Sequence, residues 1–157
     1  MGELFDGLQT YFRGVGWPFV VDPDDTVLQL EHAGQRGKWL CYAHAREAQQ
    51  QLAFYSIYPD LIPSAQRLAV AEVLTRANYG LIIGNFELDL DDGEVRYKTS
   101  VDVEGTRLTI PLIRQVVNLN VATMDRYWPA IQDALAGVAP AEALRRVEGV
   151  TASPGPT

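Results

Sequence analysis

The segment from Phe86 to Thr99 constrains the fold more tightly than any other part of the chain. Apolar and polar residues alternate on both sides of Asp92-Gly93, and that dipeptide is a strong two-residue hairpin signal. With that turn, Leu90 faces Val95, Leu88 faces Tyr97 and Phe86 faces Thr99. On the other side Asp89 meets Arg96 and Glu87 meets Lys98. A slip by one residue would scramble both sets, so the register is well specified. Opposed charges across a strand pair contribute roughly 0.2–1 kcal/mol each. They need no substrate to explain them.

The rest of the chain builds around that hairpin. Leu4, Phe5, Leu8, Tyr11 and Phe12 recur at helical spacing, and Gly14, Gly16 and Pro18 stop the helix. Asp22-Pro23-Asp24-Asp25 is a turn signal. Residues 26–32 and 38–45 read as strands around a Gly-containing loop, 33–37. Symmetric closure opposes Leu30 to Leu40, Leu28 to Tyr42 and Glu31 to Trp39. Residues 51–58 form a third strand. Pro63 opens a helix with Val70, Val73, Leu74 and Ala77 on one stripe and Gly80 as its cap. Pro111 opens a helical region, and a last helix carries Met124, Tyr127, Trp128, Ile131 and Leu135. Pro129 must sit in that helix's first turn or kink it. A short turn follows Pro140. The order is α-β-β-β-α-β-β-α. It implies an α+β domain over residues 1–150 with a largely antiparallel sheet of about five strands. Residues 151–157 are expected to be a disordered tail.

Composition excludes several function classes. The chain has 157 residues, 47% of them hydrophobic, which is enough for a core without disulfides or metal. The single Cys41 reads as a small buried hydrophobe. A net charge of −7 with no Lys/Arg cluster disfavours nucleic acid and anionic membrane. No apolar run is long enough for a transmembrane helix, and the acidic N-terminus does not read as a signal peptide. A cytoplasmic protein is expected.

The residue patterns of catalytic and metal chemistry are mostly missing from the sequence. His32 and His44 lie six strand positions apart in the expected register, about 20 Å at ~3.3 Å per residue, and cannot share an ion. The run Asp89 to Gly93 lacks the glycine and acid positions of a calcium loop. No Gly-x-Ser-x-Gly elbow and no phosphate loop occurs. Glu87 and Asp89 could do acid–base work, but the bases opposite would lower their pKa rather than raise it. No catalytic residue, metal or cofactor is expected.

One surplus remains. Residues 38–45 and 51–58 look apolar on both faces. The expected grouping places Trp39, Cys41 and Ala43 with Tyr55 and Ile57, and Leu40 and Tyr42 with Phe54 and Tyr58, or the alternate parity. Either helices or a second subunit cover the second face, or it receives a peptide segment. On the latter reading Trp39, Tyr55 and Ile57 are the peptide-binding candidates. Covering ~100 Å² of one Trp supplies only ~2.5 kcal/mol, so a partner must cover many such residues.

Several segments as a set resemble the bacterial YbjN family. They are Asn78-Tyr79-Gly80, Gly84 to Asp89, Gly93 to Asp102, Asn120 and Met124 to Ile131. The resemblance implies a fold similar to type III secretion chaperones and carries over no catalytic residues. The expected function is a non-enzymatic protein-interaction module, chaperone-like or regulatory, acting as a homodimer. The alternative is a small-ligand-binding regulatory domain with a closed, aromatic-lined pocket. A third reading is an enzyme using Glu87 or Asp89.

Overall fold

The computed structural model describes residues 2–24 and 26–149. The expected tail at 151–157 and Asp25 of the first turn lie outside the described residues. Helix α1 (Glu3–Gly14) buries Leu4, Phe5, Leu8 and Phe12. Gly16 N–H reaches Arg13 O and Trp17 N–H reaches Phe12 O, so the last carbonyls are satisfied before Pro18. Strands β1 (Val20–Val21), β2 (Val27–Ala33), β3 (Lys38–Arg46) and β4 (Gln51–Ile57) follow. Then come α2 (Arg67–Gly80), β5 (Asn85–Leu88), β6 (Val95–Asp102), α3 (Ile110–Leu135) and α4 (Pro140–Glu148).

The α+β expectation holds, with one more strand than expected. The sheet has six antiparallel strands in the order β1-β2-β3-β4-β6-β5. The extra strand is β1, too short for an alternating pattern to reveal it. The two helical regions expected after residue 110 are one helix of 26 residues that runs through Pro129.

Two registers differ from expectation. Strands β2 and β3 pair Leu30 with Cys41, Glu31 with Leu40 and His32 with Trp39, one residue from the symmetric closure. Gly34 N–H bonds to Gly37 O, so Gln35-Arg36 is the actual turn, two residues instead of five. Asp125 on α3 stabilises it: its carboxylate accepts the Gln35 and Arg36 N–H groups at 3.1 and 2.9 Å. Strands β5 and β6 pair Leu88 with Val95, Glu87 with Arg96 and Phe86 with Tyr97, two residues from expectation. The shift preserves each residue's face. The turn is a wider loop, because Arg67 on α2 donates to the carbonyls of Leu90, Asp91 and Asp92. Ile62 N–H also bonds to Gly93 O.

One face of the sheet carries Leu28, Leu30, Trp39, Cys41, Ala43, Leu52, Phe54, Ser56, Val95, Tyr97 and Thr99, all buried. Helices α1, α3 and α2 cover it, and α4 packs on α2 and α3. A polar network inside this core locks α3 to the sheet. Asn120 is fully buried. Its amide donates to Phe54 O, Tyr97 O and Thr99 Oγ1, and its Oδ1 accepts from Ser56 Oγ at 2.6 Å. Ser56 in turn accepts the Trp39 indole N–H at 2.9 Å, and Thr99 donates to Val116 O.

Candidate functional site

The other face of the sheet has no helix on it among the described residues. Strand pairing aligns Leu40 with Ile57, Tyr42 with Tyr55 and His44 with Ala53 at its centre. Arg96 and Lys98 continue the same row on β6. Apart from the buried Ala53, these side chains are half-buried by one another rather than by a second layer. The Arg96 guanidinium lies 4.6 Å from the centre of the Tyr55 ring. Glu87 bridges Arg96 at 2.9 Å and Lys98 at 3.2 Å. The face is thus an apolar and aromatic strip bordered by an ion-pair triad of two cations and one carboxylate.

The three sequence candidates do not stay together. Tyr55 and Ile57 lie on the uncovered face, joined by Leu40 and Tyr42. Trp39 lies on the covered one, 3% exposed, with its ring 5.4 Å from Trp128 and 4.8 Å from His32. The one-residue register shift at Gln35-Arg36 is the reason. It keeps Trp39 with Leu28 and Leu30 on the core side, and the separate β3–β4 pairing of Ala43 with Phe54 places Phe54, not Tyr55, on that side of the sheet. Strand patterning could not find this, because both parities of β3 and β4 are apolar. The hydrogen-bond demand of Ser56 decides the parity by turning it toward Asn120.

The titratable groups offer no assembled chemistry. Burial lowers the pKa of His32, which the Asp125 carboxylate partly opposes. Burial and the nearby Arg46 lower that of His44. The two imidazoles occupy opposite faces, five strand positions apart, about 17 Å at ~3.3 Å per residue. Burial pushes the Cys41 thiol up to about 12, so it carries no nucleophilic thiolate at neutral pH. Glu87 is held in surface ion pairs. The expected Asp89–Arg96 pair does not form; the Asp89 carboxylate instead accepts Asp91 N–H within its loop. Among the described residues no group of three or more His, Cys, Asp or Glu side chains could hold a metal ion. No helix of the described residues is long and apolar enough to cross a membrane.

A second surface feature escaped the sequence reading. A groove of about 680 Å³ lies between the end of β6 and the first half of α3, lined mainly by Ile83, Val101, Leu112, Val116 and Leu119, with Arg114 at its wall. Ile83 is 52% exposed and Leu119 41%. It is open along one side and lined by aliphatic groups, unlike the closed aromatic pocket expected for a small ligand.

Comparison with known proteins places this geometry. Residues 5–133 match the YbjN family profile, described as "Putative bacterial sensory transduction regulator". No curated protein matches the chain. The crystal structure of YbjN from E. coli superposes with a TM-score of 0.64 at 16% identity, covering 85% of this chain and 93% of that one. A chain of the HopA1–SchA chaperone–effector complex superposes with a TM-score of 0.51 at 20% identity, covering 80% of this chain and 93% of that one. The likeness to both is one of fold.

Proposed function

The chain belongs to the YbjN family, and from that premise we propose that it is a non-enzymatic protein-interaction module, chaperone-like or regulatory. The observation that carries this reading is the uncovered sheet face, where Leu40, Tyr42, Tyr55 and Ile57 form one strip with no layer above it. Tyr55 and Ile57 are its docking residues, and Leu40 and Tyr42 complete it. Trp39 supports the strip from beneath. A stable interface buries about 800 Å² per partner, so the partner must extend past the strip onto the Arg96–Glu87–Lys98 triad. Fold likeness to a chaperone–effector complex supports a protein as partner. The same reading takes residues 1–150 as one domain, working in the cytoplasm as a homodimer.

The test compares wild type with a Tyr42→Ser/Ile57→Ser double variant, checked for native circular dichroism, as baits in lysate of the source cell. Partners retained by wild type and released by the variant are the expected result. Identical or empty partner sets would count against the reading. By volume alone, and not by its open aliphatic lining, the groove beside α3 supports a second reading, a small-ligand-binding regulatory domain, since about 680 Å³ lies in the usual ligand range of about 300–1,000 Å³. A thermal-shift screen over metabolites with no stabilising compound removes that alternative.

A further inference from the structure

The backbone beside the groove carries a second, separate opening. Tyr58 N–H donates to Val95 O, and Val103 N–H donates to Gln50 O. The peptide groups of Val95, Tyr97, Thr99 and Val101 therefore turn toward β4, and those of Arg96, Lys98, Ser100 and Asp102 turn away from it. Strand β5 takes up the first two of these, through Glu87 opposite Arg96 and Asn85 opposite Lys98. It goes no further, because the chain breaks away at Gly84. That residue has φ +76°, and a Cβ on it would come within 2.6 Å of Lys98 O. The Tyr97 hydroxyl holds the diverted segment by donating to Ile83 O. Among the described residues, Ser100 and Asp102 are left with outward-facing N–H and C=O groups and no neighbouring strand, although β4 pairs the other side of β6 through Asp102.

We propose that an extended peptide adds as a strand along Ser100–Asp102, in line with β5, and seats alternate side chains in the groove against Val101, Leu112, Val116 and Leu119. Backbone pairing supplies the register and the aliphatic wall selects the side chains. The free edge from Ser100 to Asp102 is three residues, roughly 10 Å at ~3.3 Å per residue, so the occupant is a short strand. Arg114 fixes the charge of the occupant: it lines the groove and has no carboxylate in ion-pair range among the described residues. The partner segment alternates apolar and polar residues and carries one carboxylate toward Arg114. This site is on the sheet edge and does not depend on the uncovered face, so either can fail alone.

The test uses a fluorescein-labelled hexapeptide alternating leucine and threonine, with one terminal leucine replaced by glutamate. Fluorescence anisotropy should show saturable binding to the intact chain. N-methylation of two edge-facing amides should weaken it by about tenfold or more, the loss of two hydrogen bonds. Leu119→Asp, at an exposed position, should also abolish it. Exchanging the glutamate for lysine should weaken binding to wild type but not to Arg114→Gln. Amide chemical-shift changes in the wild-type protein should centre on Ser100, Val101 and Asp102. No saturation, equal binding of the N-methylated peptide, or shifts centred on Tyr42 and Tyr55 overturns the proposal. So does a wild-type dimer that Leu119→Asp dissociates while the peptide fails to bind, since the edge then belongs to a second copy.

Discussion

Asn120 ties α3 to the sheet through a fully buried side chain. It satisfies Phe54 O, Tyr97 O, Thr99 Oγ1 and Ser56 Oγ from one buried position. Leaving buried partners unsatisfied costs about 1–3 kcal/mol each, softened by relaxation, so Asn120→Ala should lose about 2–4 kcal/mol in urea unfolding. Unchanged stability would mean that α3 is held by apolar packing alone. Asn120 was legible as part of a family resemblance, but its partners were not. Its bonds reach residues 21 to 66 positions away, and no local pattern encodes them. Trp39 shows the same limit from the other side. Its residue type suggested a docking aromatic, and only the distant Ser56 hydroxyl and Trp128 ring reveal it as core.

At the scale of elements, α1 and α2 are legible in the sequence, while α3 reads as two helices, α4 as a short turn, and the hairpin turns are misplaced. The stripes of α1 and α2 follow from spacing, because a helix surface repeats within a few residues. The hairpins were misread because their turns are determined from outside. Asp125 fixes Gln35-Arg36, and Arg67 widens the loop after β5. Pro129 lies inside a continuous α3, since packing against β6, β4 and α4 outweighs one missing backbone donor. The turn at Gly84 supports a paired prediction. Gly84→Ala and Gly105→Ala meet similar positive φ, +76° and +75°, but only Gly84 has neighbours within 4 Å of the added Cβ. Conformation alone costs about 1–2 kcal/mol at either site. Chemical denaturation should therefore show the smaller loss at Gly105, and at Gly84 an additional loss of about 1–3 kcal/mol from steric crowding. Equal losses would mean that the segment before β5 shifts freely.

For the whole molecule, the acid response follows from four groups. His32 and His44 are held below the ordinary 6.5 chiefly by burial. Asp22 and Asp102 are held below 3.8, chiefly by hydrogen bonds from the Val27 backbone and the Gln51 side chain respectively. In every case the unfolded chain takes up its proton at higher pH than the folded one. On the acid side, stability should be complete near neutral pH, fall as the pH drops below 6.5 through the two histidines, and fall again below 3.8 through the two carboxylates. Urea midpoints across that range check this, and His32→Gln/His44→Gln should flatten the first decline. An unchanged slope in the double variant would assign it to other groups. Among the described residues the sheet is upholstered on one side only, and this gives the molecule two independent ledgers. Residues facing the helices answer to the core, and those facing outward answer only to whatever they meet. On the proposed reading, a lineage can alter Leu40, Tyr42, Tyr55 and Ile57, exchanging one grip for another, with loss of their cross-strand contacts but not of the core beneath them.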